Sequence, residues 1–197
     1  MSIIVSQNFI DKTMQHACRS HQEGDLLKAE KLYQQVLKQQ PDHPDANQNL
    51  GMIAHKFGHS LIAIKLISNA LSADPKRFQC YFLLGCLFEQ QKDTAKAIQC
   101  YQKCIALKPN FIEALNNLGV IYKNNYAYDE AIACFHQVVS FQLGSAFALG
   151  NLGNVLKEAG RMVEAVDTLE KTVQVDPSFD AAKSNLLMAL NYRSDLS

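Results

Sequence analysis

Five alanines, Ala29, Ala63, Ala97, Ala131 and Ala165, stand 34 residues apart. A large apolar column, Tyr33, Ile67, Tyr101, Phe135 and Leu169, keeps the same period. So does a column of small residues, Ala17, Gly51, Gly85, Gly119 and Gly153. A fourth column, Pro41, Pro75, Pro109, Leu143 and Pro177, has one exception. Self-similarity at a fixed period of this kind constrains the fold more than any single motif. One supersecondary unit is stacked on copies of itself, because no single copy can bury its apolar face alone.

Each unit reads as two helices. In the first, apolar residues recur at helical spacing, as in Leu50, Ile53, Ala54 and Phe57, or Leu118, Ile121 and Tyr122. A break follows, marked by Gly24, Gly58 and Gly160, whereas Lys92 and Tyr126 hold that place in the other two units. The second helix carries sets such as Ala97, Ile98, Tyr101, Cys104 and Ile105. Proline then stops it. Such short connections make consecutive helices antiparallel neighbours. The small residues are expected to let two helices cross closely, Gly85 or Gly119 meeting Ala97 or Ala131. Each such glycine costs about 1 kcal/mol of helix propensity relative to alanine.

The order Leu–Gly, aromatic, Ala, aromatic, Pro at this period resembles the tetratricopeptide repeat (TPR). The resemblance covers residues 10–179 as five units, 10–43, 44–77, 78–111, 112–145 and 146–179. Residues 1–9 are left as an N-terminal extension. Residues 180–197 are read as a capping helix and tail, with Leu186, Leu187 and Leu190 expected to cover the last unit. The resemblance implies an all-α fold, a right-handed superhelical solenoid of antiparallel helix pairs. It also implies a concave groove lined by the first helices.

With about 100° per residue, each first helix has a face turned away from its core. The residue before the Leu–Gly pair on that face is Asn49, Asn117, Asn151 and, in the last helix, Asn185, while Leu83 interrupts the column. An asparagine amide offers two donors and an acceptor. It can match the N–H and C=O of an extended backbone whatever the side chains are. A second column holds Met52, Cys86, Val120 and Asn154, and Phe82 and Phe147 add aromatic area nearby. The peptide-binding candidates are therefore Asn49, Met52, Phe82, Cys86, Asn117, Val120, Asn151, Asn154 and Asn185. These suit an uncharged, extended segment. Some TPR proteins clamp a C-terminal carboxylate with lysine and arginine, but here Met14, Asn49, Gln79 and Leu83 occupy the relevant positions.

Other chemistry finds little footing. A net charge of zero argues against nucleic acid as a partner. No apolar run reaches the roughly 18 residues of a membrane span, and the start MSIIVSQNF has no basic n-region. A cytoplasmic protein is expected, with its six cysteines acting as small apolar residues and none in a CxxC pair. His55 and His59 flank Gly58 in a turn, so one helix face does not present both as metal ligands. No phosphate loop or catalytic constellation stands out, and no metal or cofactor is expected.

The composite expectation is a non-enzymatic scaffold that holds a partner protein or peptide. An alternative follows from a further likeness. The asparagine column resembles the TPR region of O-linked N-acetylglucosamine transferases, and SNLLMALNYRSDLS resembles the junction ahead of their catalytic region in bacterial members. On that likeness the chain would be the substrate-recognition arm of a glycosyltransferase. A third expectation is self-association into a homo-oligomer, with Phe141 and Leu143 as an exposed apolar contact.

Overall fold

The computed structural model describes residues 2–194, with side chains from 7 to 192. Met1 and residues 195–197, the outer ends of the expected extension and tail, lie outside the described residues. Eleven helices and no strand occur among the described residues. They group into two compact units, Met1–Leu107 and Lys108–Ser197. No helix among the described residues is long and apolar enough to cross a membrane.

The first unit holds α1 (Ser2–Gln22), α2 (Leu26–Gln39), α3 (Pro44–Lys56), α4 (Ser60–Ala73), α5 (Phe78–Gln90) and α6 (Thr94–Leu107). They pack as the pairs α1/α2, α3/α4 and α5/α6, each pair resting on the next. Helix α1 begins well before the first repeat column and runs through the stretch read as an extension. One core cluster gathers Ile10, Ala17, Ala29, Tyr33 and Val36 with Leu50 and Ile53 of α3. The next gathers Ala63, Ile67 and Ala70 with Cys80, Leu84 and Leu87 of α5. Burying each of these large side chains contributes about 1.5–3 kcal/mol.

The second unit holds α7 (Ile112–Asn124), α8 (Tyr128–Phe141), α9 (Ala146–Glu158), α10 (Met162–Val175) and α11 (Asp180–Ser194). Ala131, Ile132 and Phe135 of α8 pack with Leu152, Val155 and Leu156 of α9. Val166 and Leu169 of α10 pack with Ala182 and Ala189 of α11. Leu186 joins that cluster, but Leu187 is 62% exposed and Leu190 is also exposed. Only one of the three expected leucines therefore serves the core. The alanines, small enough for close contact, do the rest.

The five turns within the helix pairs close in the same way. The N–H of Gly24, Lys92 or Gly160 reaches back three residues, and the next N–H reaches back five, as from His59 to Ala54 O at 2.8 Å or Ala127 to Tyr122 O at 2.9 Å. This six-to-one closure satisfies the last carbonyls of the first helix and needs one left-handed residue. Gly24, Gly58 and Gly160 supply it at φ 83°, 78° and 75°, whereas Lys92 and Tyr126 are held at φ 61° against the steric preference of a side chain.

The small column has a different partner from the one expected. A Cβ on Gly85 would stand 2.5 Å from Tyr101 Cε1, one on Gly119 2.9 Å from Phe135 Cζ, one on Gly51 2.7 Å from Ile67 Cδ1 and one on Gly153 2.7 Å from Leu169 Cδ2. The glycines make room for the large apolar column of the following helix, not for its alanines. Two of the sequence columns are thus one contact, repeated four times.

Candidate functional site

On the first helices, the face away from the core carries the residues singled out above. In the first unit, α3 presents Met52, 43% exposed, and the half-buried Asn49. Helix α5 presents the half-buried Phe82, Leu83 and Cys86. Met52 and Phe82 come together as walls of a cavity of about 290 Å³, with Leu83 beside them and Ile67 of α4 behind. Gln48, His55 and Gln79 complete its lining.

Asn49 lies elsewhere on the same unit. It borders a hollow of about 250 Å³ with Cys18, His21, Gln22 and Tyr33. The Tyr33 hydroxyl stands 3.4 Å from His21 Nδ1 and 3.7 Å from Cys18 Sγ. Burial, more than its hydrogen bonds, pushes the Tyr33 hydroxyl well above the usual tyrosine range, and a hydrogen bond from the Asn49 side chain opposes that shift. Burial also pulls the His21 imidazole below its ordinary 6.5, with the Lys56 charge acting in the same direction.

Cys86 repeats the arrangement one Tyr further on. The Tyr101 hydroxyl donates to Glu89 Oε2 at 2.8 Å, and the hydroxyl oxygen lies 3.4 Å from Cys86 Sγ. Burial pushes the Cys86 thiol up, while the Tyr101 hydrogen bond lowers it. Cys18 and Cys86 are 68 residues apart, as are His21 and Glu89, and Tyr33 and Tyr101. Where the large column holds Ile67, Phe135 or Leu169, the thiol position holds Met52, Val120 or Asn154. A buried phenol needs hydrogen-bonding partners, and these two columns provide them wherever it occurs. The sequence pointed to neither Glu89 nor His21 as a partner of a buried tyrosine; His21 stood out only beside His16, at a spacing of five that suits no metal ion. The signal was there as a change shared by two columns, cysteine appearing with tyrosine, while the third column (His21, His55, Glu89, Lys123, Lys157) is polar in every unit.

In the second unit, Val120 of α7 is 39% exposed, and Asn117 on the same helix is half-buried. Asn151 and Asn154 of α9 and Asn185 of α11 are also half-buried. Asn154 donates from Nδ2 to Glu158 Oε1 at 3.0 Å, and Lys123 Nζ of α7 lies 3.7 Å from the same carboxylate oxygen. Asn185 Oδ1 accepts from Lys157 Nζ at 2.5 Å. Lys123 and Lys157 thus bring charge to this face, which the column reading did not include. The structure gathers Met52 with Phe82 around one cavity. It sets Asn49 and Cys86 beside buried tyrosines, and it surrounds Asn154 and Asn185 with charged side chains.

The remaining polar links in the first unit are structural. Arg77 Nη1 reaches Asp45 Oδ1 at 2.7 Å and Gln48 Oε1 at 2.9 Å, and Arg77 Nε lies 3.1 Å from Asp74. This ties the turn before α5 to α3. Asn47, almost wholly buried, donates to the carbonyls of Pro41 and His43 at 2.8 and 3.0 Å and so fixes the entry to α3.

Comparison with known proteins agrees with the architecture. Models of the tetratricopeptide repeat match residues 22–59, 78–111, 100–133 and 148–180. Among solved structures, a MamA protein superposes with a TM-score of 0.77 at 23% identity, covering 87% of this chain and 93% of that one. YrrB, described as a TPR protein with an unusual peptide-binding site, gives 0.76 at 21% identity, covering 87% and 89%. A tetratricopeptide repeat protein from Parabacteroides merdae gives 0.77 at 19% identity, covering 92% and 72%. At these identities the likeness speaks for the fold. No curated protein matches the chain by sequence.

Proposed function

The chain belongs to the tetratricopeptide repeat family, and from that premise we propose that it is a non-enzymatic scaffold holding a partner protein through an extended, uncharged segment. Each unit offers its own first-helix face to such a segment. In the first unit it meets Asn49, Met52, Phe82 and Cys86. In the second it meets Asn117, Val120, Asn151, Asn154 and Asn185. The single observation that carries this reading is the cavity walled by Met52 and Phe82, whose polar lining is Gln48, Gln79 and His55 with no carboxylate, lysine or arginine. A preformed scaffold of this kind binds with little ordering cost. The description of YrrB as having a peptide-binding site lends support from a relative of the same fold. A cytoplasmic location belongs to the same reading, supported by six cysteines that are all free thiols.

A peptide-array screen of the full chain against uncharged and charged decamers tests the proposal. The expected result is capture of uncharged sequences, weakened by Asn117→Ala with Asn151→Ala. Unchanged capture by that double variant would remove the asparagines from the account.

One observation favours self-association as a second reading. Phe141 is half exposed and Leu143 is 86% exposed at the end of α8. Light scattering across a concentration series decides it, and a mass fixed at the monomer value would reject it.

A further inference from the structure

We infer that the cavity between α3 and α5 is a side-chain pocket, which takes one leucine-, methionine- or phenylalanine-sized residue of the bound segment and rejects a charged one. This rests on the proposed peptide-binding role and adds a specificity position to it. The cavity holds about 290 Å³, at or below the low end of the roughly 300–1,000 Å³ typical of small-molecule sites. That space admits one leucine- to phenylalanine-sized side chain. Its walls are Met52, Phe82 and Leu83, with Ile67 behind. Met52 is already 43% exposed and so is available to a ligand.

The pocket stands where the asparagine column fails. Asn49 sits on α3, and the equivalent residue on α5 is Leu83, half-buried in the cavity wall. Backbone recognition by an amide is replaced at this one repeat by an apolar surface, which recognises a side chain. The interruption is therefore the specificity element.

Charge complementarity sets the occupant. No acidic side chain, lysine or arginine lines the cavity. The nearest guanidinium, Arg77, is held by Asp45 at 2.7 Å and by Asp74 at 3.1 Å. Gln48 Oε1 is itself occupied, accepting from Arg77 at 2.9 Å and from the Cys80 thiol at 3.4 Å. That fixes the amide so that its N–H groups, and not its oxygen, remain for a ligand carbonyl. A lysine or glutamate entering here would lose its hydration and meet only the amides of Gln48 and Gln79 and the His55 imidazole, with no carboxylate, lysine or arginine to pair with, which is unfavourable. An apolar side chain loses only unfavourable contact with water.

The test is ¹H–¹⁵N NMR of the full chain titrated with amino acids capped at both termini. The probes are the N-acetyl methylamides of leucine, phenylalanine, glycine, lysine and glutamate. Leucine and phenylalanine probes should give saturable shifts at the amides of Met52, Phe82 and Leu83. Glycine, lysine and glutamate probes should bind there at least tenfold more weakly. Leu83→Lys should abolish the shifts, and Leu83→Asn, which installs the amide of the other repeats, should weaken them at least tenfold while keeping the fold. Equal shifts from all five probes would overturn the pocket. So would leucine-probe shifts unaffected by both variants, or cavity shifts that appear on concentrating the protein without probe. If array peptides still bind the Leu83→Asn chain with unchanged preference for an apolar residue, the pocket is wrong and the wider peptide-binding reading stands. If no array peptide binds while the leucine probe does, the wider reading fails and the pocket stands.

Discussion

The Tyr101 ring occupies the space that a side chain on Gly85 would need, its Cε1 only 2.5 Å from the site of a Cβ. Tyr101 is wholly buried, so the ring cannot swing away. Gly85→Ala should therefore destabilise the chain despite alanine's better helix propensity. The propensity gain of about 1 kcal/mol is set against an overpacking cost of about 1–3 kcal/mol. Urea unfolding of the variant should show a lower midpoint. A raised midpoint would mean that the ring relaxes freely and that the glycine column has another cause.

Lys92 and Tyr126 stand at φ 61° where three other turns use glycine. A side chain in that region costs about 1–2 kcal/mol, and glycine's greater freedom in the unfolded chain offsets part of the relief. Lys92→Gly should raise stability by about 0.5–1 kcal/mol, and Gly58→Ala should lower it by a similar amount. Both are read by the same unfolding curves. Tyr126→Gly is a less clean probe, because Tyr126 also meets the Tyr128 ring edge-on at 6.1 Å.

The fold was legible because its columns answer to packing. Gly51, Gly85, Gly119 and Gly153 recur since a large side chain must lie on each of them. The left-handed strain at Lys92 and Tyr126 was legible as a departure from glycine. What was not legible was which column meets which, since a period fixes spacing along the chain and not the direction of a side chain across the interface. The candidate site suffered most from this. Asn49 and Cys86 looked like a free surface, yet each also serves a buried tyrosine hydroxyl. Leu83 looked like a lost amide and is a cavity wall. Lys157 was invisible as a neighbour of Asn185, because the contact joins residues on different helices.

His21 gives the first unit a pH dependence. Its imidazole sits below the ordinary 6.5 because burial and Lys56 disfavour the cation. The unfolded chain therefore takes up the proton first. The stability linked to His21 is fully present above 6.5 and is lost as the pH falls from there through the lower folded value. Neutral His21 also faces the Tyr33 hydroxyl at 3.4 Å. The thermal midpoint should drop between pH 7.5 and 5.5, and His21→Gln should flatten that drop. An unaltered slope in the variant would assign the effect to another group.

Burial pushes the thiols of Cys80 and Cys134 up to about 11. Since the thiolate is the reactive form, neither should be alkylated by iodoacetamide at pH 8 in the folded chain, and both should react at once in urea. Mass spectrometry of digests checks this. Rapid native labelling of Cys80 would show that α5 opens far more readily than its packing implies.

Hydrogen–deuterium exchange with a peptide selected on the array tests the central claim most directly, because it reports which helices the ligand covers. Binding along the first-helix faces should slow exchange in α3, α5, α7 and α9, with the largest change around Met52 and Phe82–Leu83. Protection confined to α4, α6, α8 and α10, with α3 and α5 unchanged, would contradict it.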